Sequence, residues 1–406
     1  MTQSHSITSE LKLNHYPGRK VISTLLHLAY RNEMAVAVWK LPGDPKIHLA
    51  IDTGRQLNQG RIDLEDSRSG FLIAPFQNPG RTKEIYLKAD VYYSSDDSEL
   101  RVSNSVAQAA SEHLLKQFKQ ALERDLGEPS LYNSQNPASN TSQLEYINMV
   151  QKALLALQNG IFQKVVPAAL RKVNLGASFS CLNIFEKLCM SYTGAFVSLV
   201  STPELGAWLG ASPEALIEVN RDNIFSTVAV AGTQAYKEEI PLQEVAWRQK
   251  EIEEQALVSR YIINCFKQIR LREFEELGPK TVVAGNLLHL KTTYSVDMRD
   301  TNFPLLGSVM LDLLHPTSAV CGMPKVPSQE FLKENENFNR ELFSGYLGPV
   351  GIESETHLFV NLRCMKIQSG EALLYAGAGV TEDSIPEKEW FETQLKCDTL
   401  LDVLNL

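Results

Sequence analysis

The sequence predicts an α/β or α+β fold with a mainly antiparallel sheet, and three observations lead to this prediction. Long segments with helical periodicity alternate with short apolar runs that are bounded by turn residues. The chain has 406 residues and 44% apolar content, which allows either one large domain or two or three smaller ones. No glycine-rich dinucleotide or phosphate-binding signature accompanies the strands.

Residues 1–126 are predicted to be an α/β portion of one large fold. Each early apolar run is followed closely by a proline, which is typical of a strand that ends in a turn. The last helix of this portion carries an apolar stripe and ends at Gly127. The expected elements are a helix, two strands and a longer helix at residues 20–30, 34–39, 70–74 and 105–126.

The segment 127–142 is predicted to be a polar loop or linker, because Ser, Asn and Pro dominate it. Residues 143–406 form the remaining core. Ser384 and Glu387 predict a capping box at the start of its final helix. The helices of this part are expected at 143–159, 244–266 and 387–404, and its strands at 162–169, 195–201, 207–209, 215–219, 224–230, 358–365 and 372–378.

Composition limits the partners of the protein. The net charge of −9 and the pI near 5.5 argue against binding to nucleic acid or to anionic membranes. The six cysteines are scattered without a CxxC pair, which predicts reduced thiols and no structural zinc. The N-terminus is polar, and no run of 18 apolar residues is present, so we expect a cytoplasmic protein.

Two acidic segments each present glutamates three residues apart. Glu251 and Glu254 share a face of one predicted helix, and Glu389 and Glu392 share a face of the last helix, four residues before Lys396. Two such pairs brought together make an all-oxygen pocket of the kind that suits Mg²⁺, which completes its shell with water and an anionic substrate. The alternative is that both pairs lie on solvated helix faces.

Eight short segments of the chain look like sequence motifs, and the last of them contains Glu389 and Glu392. The segments are 162–166, 210–214, 231–233, 314–320, 338–351, 360–363, 376–380 and 389–396. Their order and spacing resemble the chorismate-utilising enzymes, a family that includes isochorismate, salicylate, anthranilate and aminodeoxychorismate synthases. The resemblance covers about residues 144–401. It implies a single large domain with two stacked, mainly antiparallel sheets flanked by helices, in which 143–406 is the chorismate-binding catalytic core. Residues 1–126 are assigned to this fold by association only.

The resemblance implies a base and an acid. Lys164 occupies the position of the base that isochorismate and salicylate synthases use to activate water, and desolvation favours the neutral form of such a lysine. Glu214 matches the acid that protonates the C4 hydroxyl of chorismate as it leaves. Without the resemblance, Lys164 would be read as an edge or snorkelling lysine and Glu214 as a solvated turn residue.

The resemblance also implies the binding residues. Glu254 and Glu392 would hold Mg²⁺ at the C1 carboxylate of chorismate, and Glu251 and Glu389 would act behind them or through water. Substrate carboxylates would be held by two cationic side chains and by the backbone of two glycines, namely Arg363, Lys396, Gly232 and Gly377. Further wall residues would be Tyr346, Thr233 and Ser318.

Two histidines and four departures from the family pattern complete this interpretation. His289 sits at a recurrent family position, where we expect a packed histidine that supports the site, and His315 is expected to be structural. Arginine is usual at two of the departing positions, and histidine and glycine at the other two. The residues found there are Ala169, Gln234, Gln255 and Cys321. None of these is an expected acid, base or metal ligand.

The predicted activity is Mg²⁺-dependent isochorismate synthesis, and salicylate synthase remains an alternative that no single residue excludes. An aminating synthase subunit that binds a glutamine amidotransferase is disfavoured by Lys164 and by Ala231, where aminodeoxychorismate synthases place a lysine nucleophile. A non-catalytic chorismate binder is suggested only by the lost arginine. We expect a monomer without an obligatory amidotransferase subunit, and the sequence does not choose between a menaquinone and a siderophore pathway.

Overall fold

A computed structural model describes residues 13–103, 106–134, 138–176, 178–236, 241–284 and 287–405. Within these ranges the chain forms helices on both sides of two large sheets. The α-helices are α1 Gly18–Arg31, α2 Gln108–Leu122, α3 Gln143–Gln158, α4 Cys181–Ser191, α5 Gln249–Gln268, α6 Leu306–Leu314, α7 Lys325–Asn335 and α8 Pro386–Leu404.

The strands of the described ranges follow the chain in twenty short segments. They are β1 Ala35–Lys40, β2 His48–Asp52, β3 Asn58–Gln59, β4 Gly70–Ala74, β5 Ile85–Lys88, β6 Val91–Ser94, β7 Arg101–Val102, β8 Lys164–Val165, β9 Ala168–Asn174, β10 Phe196–Thr202, β11 Gly206–Ser212, β12 Ala215–Val219, β13 Ile224–Ala235, β14 Glu275–Ala284, β15 Leu287–Asp297, β16 Gly322–Met323, β17 Tyr346–Val350, β18 Thr356–Val360, β19 Cys364–Gln368 and β20 Glu371–Gly377.

The strands pair into two nine-stranded antiparallel sheets and one short ribbon within the described residues. Sheet A has the order β7-β6-β2-β1-β10-β11-β19-β20-β9, and sheet B has the order β14-β15-β13-β12-β18-β17-β4-β5-β3. The ribbon pairs β16 with β8. The predicted fold class, with two mainly antiparallel sheets flanked by helices, is therefore confirmed.

Apolar side chains fill the space between the two sheets and bring them face to face. Phe196 of sheet A stacks on Phe359 of sheet B with ring centroids 4.2 Å apart. Along β1, Ala37 and Trp39 point to sheet B, whereas Val36 and Val38 point to the helices, as the two-residue period of a strand requires. Helices α1, α2, α4 and α8 cover the outer face of sheet A, and α5 and α6 cover sheet B.

The N-terminal part of the chain contributes strands to both sheets. In sheet A, β1 pairs with β10, and in sheet B, β4 pairs with β17. The described part of the polar segment 127–142 has no helix or strand, but it is hydrogen-bonded to edge strand β9. The Thr141 amide donates to the Leu170 carbonyl at 2.9 Å, and the Leu170 amide donates to Thr141 Oγ1 at 3.1 Å.

The chain passes between the sheets at two adjacent points, and one of them corrects the predicted strand at 358–365. Pro213 and Glu214 link β11 of sheet A to β12 of sheet B, and residues 361–363 link β18 of sheet B back to β19 of sheet A. The strand therefore ends at Val360, and Arg363 has a positive φ of 47°. The two links are hydrogen-bonded together, because the Val360 amide donates to the Glu214 carbonyl at 3.0 Å.

Three other predicted boundaries were wrong. The strand at 162–169 is divided into β8 and β9 by Pro167, which has no N–H to donate. The long helix begins at Gln249 rather than at 244, where a short 3₁₀ turn precedes it. The final helix begins at Pro386 after Ile385, whose apolar side chain cannot cap it, so the capping box expected from Ser384 does not form.

All six cysteines are free and buried. Burial raises the pKa of four of their thiols to about 12, those of Cys181, Cys189, Cys321 and Cys397. No helix within the described ranges is both long and apolar enough to cross a membrane.

Candidate active site

A cavity that is partly open to solvent lies beside the two links between the sheets, and it encloses about 790 Å³ of space when the solvent at its mouth is included. Strands of both sheets, the ribbon strand β8 and helices α5 and α8 contribute to its wall. Nine of the residues predicted for the site line it: Lys164, Glu214, Gly232, Thr233, Glu254, Arg363, Gly377, Glu392 and Lys396.

Lys164 extends from β8 into the cavity and is almost completely buried. Its Nζ lies 2.6 Å from Glu254 Oε1 on α5 and forms a salt bridge with it. Gly379 leaves room for this pair, since a Cβ at that position would be 2.7 Å from Glu254 Oε1 and 3.0 Å from Lys164 Cε. A side chain at Gly379 would therefore displace the salt bridge.

Glu214 occupies the link between β11 and β12 and is 7% exposed. Burial raises the pKa of its carboxyl to about 7, although the Thr317 hydroxyl and the positive charges of Lys164 and Lys396 act in the opposite direction. The Thr317 hydroxyl donates to Glu214 Oε1 at 3.4 Å, a weak contact. A carboxyl with such a pKa retains a proton near neutral pH and is able to act as an acid.

Two more charged groups complete the side of the cavity formed by α5 and α8. Burial alone would raise the pKa of Glu254, but the salt bridge to Lys164 and the charges of Lys396 and Lys250 outweigh it and lower that pKa. On α8, Lys396 lies one turn after Glu392, with 2.7 Å between Nζ and Oε1. Its Nζ also donates to the Gly377 carbonyl at 2.8 Å, which fixes α8 against the end of β20.

Arg363 supplies a further positive charge at the wall of the cavity. Its Nη1 donates to Thr399 Oγ1 at 2.9 Å, and the guanidinium forms no salt bridge with a carboxylate of the described residues. Burial lowers the pKa of Arg363. A half-buried guanidinium that forms no salt bridge with a described carboxylate favours an anionic ligand, since planar N–H donors match a carboxylate.

His289 of β15 lines the cavity and packs against Gly232 and Thr233. Its Nδ1 lies 2.8 Å from the Gly232 carbonyl, so this nitrogen carries the proton and donates the hydrogen bond. Burial lowers the pKa of His289 to about 4, which keeps the ring neutral at neutral pH. His315 is also buried, outside the cavity wall, and its ring lies edge-on to Tyr346.

Four of the predicted site residues are not part of the cavity wall, and each has another partner or position. Glu251 accepts a hydrogen bond from the backbone amide of Arg248 at 3.1 Å and so caps the start of α5. Glu389 is buried and pairs with Lys250, with 2.7 Å between Oε1 and Nζ. Three-residue spacing brings each pair onto one side of its helix, but only the second glutamate of each pair reaches the cavity.

Tyr346 and Ser318 are the other two residues outside the wall. The Tyr346 hydroxyl donates to the buried carboxylate of Glu84, which draws it away from the cavity. Ser318 is buried, and its hydroxyl has no hydrogen-bond partner among the described residues. It lies in the loop that carries Thr317, next to the contact with Glu214.

The four departures from the family pattern lie in packed or surface positions around the site. Gln255 Nε2 donates to the Ala229 carbonyl at 3.1 Å and to Thr292 Oγ1 at 3.0 Å, which ties α5 to β13 and β15. Ala169 and Cys321 are buried in the small core under α3 and α7. Gln234 Nε2 makes a long contact of 3.4 Å to the Ala246 carbonyl.

Among the residues of the cavity wall that were not predicted, Gly379 and Arg340 have evident roles. Gly379 lies in the segment 376–380 but was assigned no role, because that role depends on a contact with α5 that is distant in sequence. Arg340 is buried in the wall and donates to the backbone carbonyls of Val166 and Val320. Pro167 could have indicated a need for such a residue. A proline inside a predicted strand interrupts the strand pairing, so that neighbouring backbone groups need other hydrogen-bond partners, and the Val166 carbonyl finds one in Arg340.

The carboxylates of Glu254 and Glu392 fit a hard divalent cation such as Mg²⁺. Both line the same cavity, and Glu254 is held ionised. Mg²⁺ commonly binds to one or two protein carboxylates and fills its other positions with water and substrate oxygens. The described residues contain no cluster of three or more His, Cys, Asp or Glu side chains arranged for a metal, so these further oxygens would come from water and ligand.

Known proteins resemble this chain in sequence. Isochorismate synthase EntC of Escherichia coli K12 is 27% identical over 296 residues, which cover 72% of this chain and 75% of that protein. The vibriobactin-specific isochorismate synthase of Vibrio cholerae is 25% identical over 364 residues, covering 88% and 84% of the two chains.

Solved structures resemble it in fold. The menaquinone-specific isochorismate synthase MenF of Escherichia coli superposes with a TM-score of 0.74 at 20% identity, over 94% of this chain and 91% of that one. Anthranilate synthase component I of Streptococcus pneumoniae TIGR4 superposes with a TM-score of 0.67 at 16% identity, over 90% and 89%. The fold is therefore common to enzymes with different names.

A family model described as chorismate binding enzyme matches residues 62–405, which include every residue of the cavity wall and most of both sheets. The order of motifs in the sequence, the two stacked sheets and this match agree with one another. The chain belongs to the chorismate-binding enzyme family.

Proposed function

We propose that the protein is a Mg²⁺-dependent isochorismate synthase, which adds water to C2 of chorismate and releases the C4 hydroxyl. The observation that carries this proposal is the placement in one cavity of Lys164 and of Glu214, a carboxyl whose pKa is raised by burial. Similarity to isochorismate synthases over most of the chain supports it.

Each group has a defined part in the proposed reaction. Lys164 would first lose its ammonium proton to solvent and separate from Glu254. The neutral amine would then accept a proton from water as the new C2–O bond forms and the ring double bonds shift toward C4. Glu214 would give its proton to the C4 oxygen as the C4–O bond breaks, so that water leaves instead of hydroxide. The two residues exchange roles in the reverse reaction, and proton and charge balance are kept.

The remaining wall residues would bind and orient the substrate. Arg363 and Lys396 would hold its carboxylates, together with the backbone at Gly232 and Gly377, and neutral His289 would support the Gly232 turn. Mg²⁺ on Glu254 and Glu392, with Glu251 and Glu389 behind them or acting through water, would neutralise the C1 carboxylate of chorismate. Thr233 would form part of the wall.

Two features of the cavity favour hydration over amination. Lys164 supplies a base for water, and Ala231 stands where a lysine nucleophile would be needed for a covalent amine route. We therefore propose activity without an amidotransferase subunit. No pathway is chosen, since the relatives include both a siderophore-specific and a menaquinone-specific enzyme.

The test is incubation of the purified chain with chorismate and Mg²⁺, with products separated by chromatography. Isochorismate without ammonia or glutamine is the expected product. Salicylate with pyruvate would assign the alternative activity, and anthranilate formed only with ammonia would contradict the proposal. EDTA is expected to stop turnover, and added Mg²⁺ is expected to restore it.

A further inference from the structure

The guanidinium of Arg340 connects the two segments that carry the proposed base and the loop beside the proposed acid. Its Nη2 donates to the Val166 carbonyl at 2.6 Å, two residues after Lys164. Its Nη1 donates to the Val320 carbonyl at 2.9 Å, in the loop whose Thr317 hydroxyl contacts Glu214. One buried side chain thus bonds to the backbone of two neighbouring segments of the cavity wall, which also pair directly, because the Val166 amide donates to the Cys321 carbonyl at 2.9 Å.

Glu336 completes this connection. Arg340 Nε donates to Glu336 Oε2 at 2.8 Å, and Nη2 donates to Oε1 at 2.5 Å. Glu336 Oε1 in turn accepts a hydrogen bond from the Ala168 amide at 2.9 Å. The pair therefore satisfies backbone groups on both sides of Pro167, at the point where β8 and β9 are interrupted.

These contacts leave Arg340 little capacity to bind a ligand. Four of the five N–H donors of its guanidinium are used, by two backbone carbonyls and by the two oxygens of Glu336. Its faces pack on the rings of Phe76, 4.4 Å from the centroid, and Phe343, 5.6 Å from the centroid. A guanidinium held in this way fixes other groups more readily than it captures a substrate carboxylate.

A second buried arginine provides a matched comparison. Arg81 is 2% exposed and Arg340 is 3% exposed. Arg81 also pairs with a glutamate, Glu84, and donates to the carbonyls of Ile62 and Ser308. Arg81 does not line the cavity, however, whereas Arg340 does. Both arginines pair with a glutamate and donate to two backbone carbonyls, but only the carbonyls bonded to Arg340 belong to residues of the cavity wall.

We propose that Arg340, paired with Glu336, is a positioning residue that sets the placement of Lys164 relative to Glu214. This inference rests on the proposed function, because its expected effect is on the step in which Lys164 accepts a proton from water and Glu214 gives a proton to the C4 oxygen. Loss of the Arg340–Glu336 pair would release the Val166 and Val320 carbonyls and leave only the β8–β16 pairing to join the two segments, so that the Lys164 segment and the Thr317 loop would shift relative to each other. The substrate-binding groups Arg363 and Lys396 belong to other segments and would stay in place.

The experiment compares Arg340→Lys with Arg81→Lys, since lysine keeps the charge but cannot make the same set of bonds. For Arg340→Lys we expect kcat to fall about 10–100-fold while KM for chorismate changes less than about threefold, because small misplacement of reacting groups is costly. For Arg81→Lys we expect a comparable loss of thermal stability and an unchanged kcat. Glu336→Gln provides a second variant if Arg340→Lys does not fold.

A readout without turnover separates this inference from the proposed function. The carboxyl of Glu214 is titrated by ¹³C NMR in substrate-free wild type and variants, and its pKa is expected to fall in the Arg340 and Glu336 variants as water reaches it. An unchanged Glu214 titration, or a kcat as insensitive as that of Arg81→Lys, would overturn the positioning role. A large rise in KM instead would make Arg340 a binding residue. Wild type that forms no isochorismate would refute the proposed function, while the NMR titration would still decide the positioning role.

Discussion

Glu214 and Glu254 line the same cavity, but their carboxyl groups have opposite pKa shifts. Burial raises the pKa of Glu214 to about 7, and the 3.4 Å contact from Thr317 and the more distant charges of Lys164 and Lys396 do not outweigh it. Burial also acts on Glu254, but Lys164 at 2.6 Å outweighs it, and the pKa of Glu254 is lowered. Between these two residues, the sign of the shift follows the presence of a close cationic partner.

This difference separates two kinds of carboxyl chemistry within one site. A buried carboxyl without a close cation keeps its proton and is suited to donate it, whereas a paired carboxylate stays ionised and is suited to bind a cation. The same fold thus provides an acid and a metal ligand from one residue type.

The largest expected effect follows removal of Lys164. Lys164→Ala should lower kcat by roughly 10²–10⁴ with little change in chorismate binding, because the base is lost while the anion-binding groups remain. The control is Lys366→Ala, since Lys366 is also buried and paired, with 2.6 Å to Glu341, but lies outside the cavity wall. Steady-state kinetics and binding by calorimetry measure both variants. A folded Lys164→Ala enzyme with near-normal kcat would return Lys164 to a structural role.

Glu214→Gln should stop the reaction at expulsion of the C4 hydroxyl. Glutamine keeps the shape but has no proton to give, so we expect kcat to fall by about 10²–10³ in both directions while chorismate and Mg²⁺ still bind. Glu218→Gln, on the neighbouring strand β12, should retain activity. If Glu214→Gln instead lost affinity for chorismate or Mg²⁺, Glu214 would be a binding residue and the assignment of the acid would be wrong.

Glu214 should also make stability depend on pH. Its pKa is about 7 in the folded protein against 4.5 ordinarily, so between these values the folded state binds more protons than the unfolded state. Stability conferred by this group therefore falls as pH rises from about 4.5 to 7, by up to about 3 kcal/mol. Urea unfolding at pH 5 and pH 8 should show this loss in substrate-free wild type but not in Glu214→Gln. Equal losses in both would show that another group is responsible.

The smallest expected effect concerns the cation. Glu254→Gln and Glu392→Gln should each raise the Mg²⁺ concentration needed for half-maximal activity about tenfold or more, since each removes one carboxylate from the cavity. Glu253→Gln is the matched control, because Glu253 is exposed and accepts a hydrogen bond from Gln249. Mg²⁺ titrations followed by activity and by calorimetry measure the change. An unaltered Mg²⁺ requirement in both cavity variants would exclude them as ligands.

Local periodicity was sufficient to predict most elements of the fold. The helix at 143–159 and the strand at 215–219 correspond closely to α3 and β12, because their patterns depend on neighbouring residues. The continuous strand at 358–365 was wrong because apolar alternation persists through Leu362 and Cys364, although the chain changes sheets between them. Such a change depends on contacts with the Glu214 link, which are distant in sequence.

The candidate site shows the same limit. Spacing correctly indicated that Glu251 and Glu254 belong to one helix, but not that Glu251 would cap the first turn of α5. The partner of Glu389 is Lys250, 139 residues away, and a pairing over this distance cannot be predicted from the local spacing of residues. The role of segment 127–142 as a division between parts of the chain stays a prediction, as does the monomeric state.

The buried free cysteines can be used to detect local unfolding of the protein. A thiol must become both exposed and ionised before an alkylating or disulfide reagent reacts with it. In the folded protein these thiols are buried, and burial raises the pKa of Cys181 and Cys397, so neither condition is met. Cys181 and Cys397 lie under the helices on sheet A, whereas Cys265 lies between α5 and sheet B. The order in which these thiols react would therefore reveal which side of the two-sheet structure loosens first, without any added label.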